Sequence, residues 1–186
     1  MTDIRFSGLG GQGIVRCGLI TGKALALYDN KHATMTQSFG PEARGRAVSS
    51  QLVVSKDRVL YPYIVAPKFL VSMSQEAYEK YVPDLGKNGT LIIDTDLVKL
   101  KDLRKDIKLF SIPATRIAEG LGNRIIANLV MVGFFTAITK VVTGEAMKKA
   151  LPGLVPDRFL DLNIRAFNKG YDYGEEVLKE KKQGKQ

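Results

Sequence analysis

What is scarce in this chain narrows its chemistry before any motif is read. Its 186 residues include one cysteine, Cys17, so no disulfide can close within the chain. No CxxC pair or cysteine cluster is present to hold zinc or an iron–sulfur cluster, and a redox metal must therefore belong to another polypeptide. Cys17 sits among the first turns of a helical pattern with no histidine near it in sequence, and it reads as an inert buried thiol rather than a nucleophile. The one histidine, His32, has neither a second ligand nor a triad member to join it, and no catalytic role falls to it. Negative charge is in deficit, 19 Asp and Glu against 28 Lys and Arg, for a net +9 that favours an acidic partner or a phosphorylated ligand. The basic residues do not alternate with aromatics, which argues against nucleic acid, and several crowd into the terminal "KEKKQGKQ". A long uninterrupted apolar run is also missing. The most apolar stretch, residues 125–142, is broken by Asn128, Thr136, Thr139 and Lys140 and entered through Arg124, so it reads as a buried helix and not a membrane span. The opening "MTDIRFSG" has no charged n-region followed by an apolar segment, and a cytoplasmic location is expected.

Glycine, by contrast, is concentrated. "GLGGQG" places Gly8, Gly10, Gly11 and Gly13 between a short apolar strand, residues 4–7, and a helical pattern over residues 14–28. Gly8, Gly10 and Gly13 satisfy G-x-G-x-x-G in the strand-to-helix context where unpaired helix N–H groups can receive a phosphate. Close helix–strand packing alone accounts for one glycine of such a loop and not for four. A dinucleotide loop also wants an acidic residue at the end of the second strand. Here that strand, residues 33–38, ends in Thr36, Gln37 and Ser38, while Asp29 precedes it and belongs to the opposite edge of a sheet, so NAD is disfavoured. Gln12, at the opening of the helix, has both a donor and an acceptor to offer.

Strand patterns continue at residues 49–55, 58–64, 69–74, 90–94 and 108–113, with Lys56 and Asp57 as a turn that suggests an antiparallel hairpin between the first two. Helical patterns occupy residues 75–82, 116–121, 123–142, 144–150 and 156–178. The alternation predicts an α/β fold, a three-layer Rossmann-like sandwich with a mostly parallel sheet, an antiparallel hairpin insertion and C-terminal helices. Residues 1–178 form one domain on this reading, and 179–186 a charged tail. The helix over 123–142 is apolar nearly all the way round, which points to a subunit interface as its cover.

A second constellation, "TQSFGPEARGRA" (residues 36–47), leaves the second strand on the same edge as the glycine loop, where α/β proteins gather their ligands. Arg44 and Arg46 can fork onto phosphate or carboxylate oxygens, with Glu42 as an ion-pair partner for either. Asp94 and Asp96 end a strand where a ligand could reach, and helix capping explains them equally well; Asn123 suits a cap and Asn128 a bond to a neighbouring loop.

"GLGGQG", "TQSFGPEARG", "MSQEAYEKY" (residues 73–81) and "GNRIIANLVMVG" (residues 122–133) together resemble the gamma subunit of 2-oxoacid:ferredoxin oxidoreductases, most of all its 2-oxoglutarate branch. The resemblance runs through essentially the whole chain. It implies a subunit, without catalytic residues of its own, of an enzyme that converts 2-oxoglutarate, coenzyme A (CoA) and oxidised ferredoxin to succinyl-CoA, carbon dioxide and reduced ferredoxin. Thiamine diphosphate, Mg and the iron–sulfur clusters are then expected on partners, namely alpha and beta subunits and a ferredoxin-like delta subunit, with CoA partly bound here. The cofactor-binding set implied is Gly8, Gly10, Gly11, Gln12, Gly13, Gln37, Arg44 and Arg46. Arg46 stands where the family commonly carries a second glycine. An isolated chain is expected to be inactive and able to pair with itself. Two readings from other classes remain at this point, an independent NADP-type nucleotide-binding protein and a non-catalytic scaffold.

Overall fold

Alternation of apolar side chains sets the first strand. In β1 (Thr2–Leu9), Ile4 and Phe6 point to one face of the sheet while Arg5 and Ser7 point to the other, and all four are buried, so both faces are covered. The computed structural model describes residues 1–38, 47–59 and 61–183. After β1 come α1 (Ile14–Tyr28), β2 (His32–Ser38), β3 (Ala47–Ser55), β4 (Phe69–Ser72), α2 (Gln75–Tyr81), β5 (Thr90–Asp94), β6 (Lys108–Ile112), α3 (Ala114–Gly120), α4 (Ala127–Thr139), α5 (Gly144–Ala150) and α6 (Leu160–Gln183). The six strands lie in the order β2-β3-β1-β4-β5-β6. Five run in one direction and β3 runs against them. The α/β, mostly parallel architecture expected from the alternation is therefore present.

The antiparallel element is not where the turn signal at Lys56 and Asp57 suggested. Residues 58–64 form no strand among the described residues; β3 instead pairs with β2 on one side and β1 on the other, from Thr2 opposite Val54 to Leu9 opposite Ala47. With both edges of β3 occupied, no ladder position was left for the following segment, and Pro62 within it lacks the N–H a ladder needs. The segment is held instead by the buried guanidinium of Arg5, which donates to the Ile64 carbonyl at 3.4 Å and to Asp84 at 2.8 Å. β2 accordingly runs parallel to β1 but is separated from it by β3, so the expected β-α-β unit has a strand inserted in its middle.

One face of the sheet is covered by α1 and by α3 to α6, around Ile4, Phe6, Leu52, Val71, Phe134 and Phe135. The other is covered by α2 and the connection after β5, around Leu70, Tyr78, Leu91 and Ile107. α1 ends at Asp29 and Asn30, the latter at φ 50, a conformation asparagine tolerates. The Asp29 carboxylate then accepts from the N–H and hydroxyl of Thr143, fixing this end of α1 to the start of α5, at the edge of the sheet away from the glycine loop.

The subunit interface expected to cover the apolar helix is not needed. That helix divides into a 3₁₀ turn, Arg124–Ile126, and α4, and residues 127–137 are all buried within the chain. Its cover is α6, whose buried residues Asn163, Ala166, Phe167, Gly170 and Gly174 form one stripe at helical spacing. α6 also runs through Gln183, into the charged stretch that begins at residue 179; Lys181 donates to the Leu109 carbonyl at 3.1 Å and lies over the Phe110 ring.

Candidate functional site

The C-terminal end of β1 opens into a turn closed by a bond from the Gln12 N–H to the Leu9 carbonyl, and α1 begins at once. Its first intrahelical bond is from Cys17 N–H to Gly13 carbonyl, which leaves the N–H groups of Ile14, Val15 and Arg16 without i−4 partners. Gly13 offers no side-chain cap, and no acidic residue stands in the first turn. At four other helix starts such donors are met: Ser74 caps α2, Thr143 caps α5, Asn123 caps the 3₁₀ turn as expected, and Asp94 and Asp96 accept from Thr115 and Arg116 at the start of α3. Among the described residues, the N–H groups of Gly10, Gly11 and Gly13 have no acceptor either.

The four glycines have two different reasons to be bare. A Cβ at Gly8 would fall 2.5 Å from Gln12 Oε1 and 2.6 Å from Ile14 Cδ1, and one at Gly13 would fall 2.2 Å from Asn128 Nδ2. These two meet the chain itself. Among the described residues, nothing lies within 4 Å of a Cβ at Gly10 or Gly11. Gly11 still needs glycine for its φ of 90, whereas Gly10 is outside the left-handed region and has no internal need of it.

Gln12 is in the expected place, but both ends of its amide are engaged by the chain. Its Oε1 accepts from Leu9 N–H at 2.6 Å, and its Nε2 donates to the Met73 carbonyl beyond the end of β4 at 2.8 Å. It braces the loop from within instead of presenting a free donor and acceptor. Gln37 is exposed on β2, opposite Ser50, with β3 between it and the glycine loop, about 10 Å across two strand spacings. Arg44 and Arg46, with Glu42, lie outside the described residues. Of the residues that flank that segment, Ala47 is paired with Leu9, and its N–H donates to Glu76 at the start of α2.

A cavity of about 190 Å³ opens beside the glycine loop, between Gly11 and Gln12 on one side and Arg124 and Asn128 on the other, with Met73 and Leu97 in its wall. Arg124, noted in the sequence only as the entrance to an apolar stretch, brings a cation to this cavity; among the described residues its carboxylate partner is Glu119, 3.8 Å away and half exposed. Asn128 is 3% exposed. The signal that could have marked it is a carboxamide in the first turn of an otherwise apolar helix.

Other residues resolve into structural roles. Asp94 is fully buried and accepts from Thr115 N–H, Thr115 hydroxyl and Asp96 N–H; burial pushes its pKa up, against the lowering effect of those bonds. Asp96 accepts from the Arg116 backbone and guanidinium. Cys17 is 1% exposed, and burial pushes its thiol up to about 12. A thiol so placed stays protonated near neutral pH. Ellman's reagent should label the native chain only as fast as the chain opens; prompt stoichiometric labelling without denaturant would contradict an inert thiol.

Among the described residues no group of three metal-binding side chains occurs, and no helix is long and apolar enough to cross a membrane. A family model described as pyruvate ferredoxin/flavodoxin oxidoreductase matches residues 3–173. The chain is 45% identical over 177 residues to the 2-oxoglutarate synthase subunit KorC of Methanocaldococcus jannaschii, an alignment covering 94% of this chain and 95% of that one. Among solved structures, the gamma subunit of a keto/oxoacid ferredoxin oxidoreductase from Geobacter sulfurreducens PCA is similar at a TM-score of 0.83 and 38% identity, over 94% of this chain and 98% of that one. The 2-oxoglutarate:ferredoxin oxidoreductase of Magnetococcus marinus, solved with 2-oxoglutarate, coenzyme A and succinyl-CoA bound, shares the fold at a TM-score of 0.85 and 19% identity, over 94% of this chain and 31% of that one.

Proposed function

This chain belongs to the pyruvate ferredoxin/flavodoxin oxidoreductase family as a subunit of the gamma type, and on that premise we propose that it serves a 2-oxoglutarate:ferredoxin oxidoreductase by holding phosphate oxygens of coenzyme A and docking on the thiamine-bearing chains. In such an assembly 2-oxoglutarate loses carbon dioxide, its succinyl group passes to the coenzyme A thiol, and the electrons pass to ferredoxin. Thiamine diphosphate and iron–sulfur clusters supply the carbanion and electron chemistry from other subunits; a chain with one buried cysteine has no ligand set for a cluster. The contribution of this chain is binding and orientation. The unpaired N–H groups at the start of α1 and those of Gly10 and Gly11 meet a phosphate, with Arg124 at the adjoining cavity and Arg44 and Arg46 adding charge from the second loop.

The observation that carries this reading is Gly10. The described part of the fold tolerates a side chain there, and bare backbone at that position suits a ligand group that approaches the main chain closely. Replacing Gly10 with alanine should leave the melting temperature within about 2 °C of the parent, as for a surface change worth under about 0.5 kcal/mol, while weakening coenzyme A binding by about tenfold. Calorimetric titration of the full chain and its variant with coenzyme A, and with NADPH in parallel, reads both effects. Binding of NADPH alone would sink the proposal, as would equal coenzyme A affinity in the two proteins. Purification of the assembled enzyme should bring down the thiamine-binding pair and a cysteine-rich small subunit together with this chain.

A further inference from the structure

The donors at the start of α1 have a side-chain companion that arrives from another helix. Asn128 belongs to the first turn of α4, is almost wholly buried, and lines the cavity beside the glycine loop. Its Oδ1 accepts from the N–H of Leu129 at 2.9 Å. Only the oxygen of a carboxamide can accept that bond, so the orientation of the group is fixed and Nδ2 faces the other way. On that side Nδ2 lies where it would be 2.2 Å from a Cβ at Gly13, against the N-terminus of α1, and it has no acceptor among the described residues. The amide N–H₂ thus lies in the wall of the cavity with a donor to offer, next to a helix start that is itself uncapped.

We propose that Asn128 is the side-chain donor of an anion site at the start of α1, its Nδ2 donating to an oxygen of a phosphate or pyrophosphate group that the main-chain N–H groups of residues 10, 11 and 14–16 also meet. This rests on the coenzyme A reading for the identity of the ligand but not for its charge. Gly13 is glycine so that the amide can reach the helix start, and the glycine loop and the start of α4 act as one site although 111 residues separate Cys17 from Asn128, whose carbonyl lies 4.0 Å from the Cys17 sulfur. Gln12 does not compete for this role, because its amide is engaged between Leu9 and Met73.

Asn128→Asp separates a binding role from a structural one. The aspartate keeps an oxygen for the Leu129 N–H and places its negative charge at the N-termini of both α1 and α4, which favours the folded chain. The same charge occupies the place of the incoming anion. Thermal melting and calorimetric titration of the full chain with inorganic pyrophosphate and with coenzyme A give the readout. Asn128→Asp should melt no lower than the parent yet bind both ligands at least about tenfold more weakly, and Asn128→Ala, which removes one hydrogen bond to a charged group, should weaken both by about tenfold. Parent-like affinity in both variants would overturn the role of Asn128 while leaving the coenzyme A reading intact. Binding of pyrophosphate that Asn128→Asp abolishes, with no binding of coenzyme A, would leave Asn128 in its role and overturn the coenzyme A reading. No binding of either ligand by the parent overturns both.

Discussion

Replacing Gly170 with alanine is expected to lower the stability of the folded chain by about 3 kcal/mol or more. α4 and α6 approach each other through main chain: a Cβ at Gly170 would lie 1.8 Å from the Val130 carbonyl oxygen, and a Cβ at Gly133 would lie 2.0 Å from that of Phe167. The obstacle in both cases is backbone inside a regular helix, which has no rotamer to give. The two helices would have to move apart, and the apolar residues of α4, buried at every position from 127 to 137, would lose contact along the seam. Overpacking of a tight core costs about 1–3 kcal/mol where side chains can yield, and the rigid case belongs at or above about 3 kcal/mol. Against a total stability of about 5–15 kcal/mol, that removes much of the margin. Gly120→Ala is the control. Nothing lies within 4 Å of a Cβ there, the residue is the last of α3, and its φ is outside the left-handed region, so helix propensity alone predicts no loss and a gain of up to about 1 kcal/mol. Urea titration of the three proteins measures the contrast; a Gly170→Ala midpoint near the parental one would mean that α4 and α6 are not fastened at this seam.

That seam marks the line between what the sequence made legible and what it did not. α1, β5 and α5 coincide with their expected bounds, because a glycine turn into a period of 3.6, or a buried apolar strand between turns, is written within one short stretch. Strand pairing is a relation between stretches. β3 found its partners in β1 and β2, and with both its edges taken the described residues of 58–64 form no strand beside it. The apolar circumference of α4 was visible, but its cover was not, since α6 is polar over most of its surface and contributes a narrow buried stripe from Asn163 to Gly174. The same division runs through the site. The glycine turn between a strand and a helix was readable within one short stretch, whereas the inward engagement of Gln12 depends on where the end of β4 places the Met73 carbonyl, and the approach of Asn128 depends on α4 crossing the start of α1. A single position such as Gly10 or Gly13 looks alike in sequence; what stands opposite it decides its meaning.

Gly13 offers the second large effect, and a way to measure that dependence. The residue has φ 74, and a Cβ added there would lie 2.2 Å from Asn128 Nδ2 and 3.2 Å from its carboxamide carbon, but 3.7 Å from its Cβ. Alanine at 13 therefore meets two separate penalties. The left-handed backbone costs about 1–2 kcal/mol for any residue with a Cβ, and the amide must also be displaced from a buried position where its oxygen holds the Leu129 N–H. Gly13→Ala alone is expected to lower stability by about 3 kcal/mol and to abolish measurable coenzyme A binding, because the new methyl group and the displaced amide disturb the same donors. With alanine at 128 as well, the second penalty disappears, since the atom left opposite the new methyl group is then a Cβ at ordinary contact distance. In the Asn128→Ala background, Gly13→Ala should cost only the backbone part, and the double-mutant cycle should return a coupling of about 1 kcal/mol or more. Strict additivity of the two substitutions would show that residues 13 and 128 do not meet, and with that the joining of the glycine loop to the start of α4 would fall.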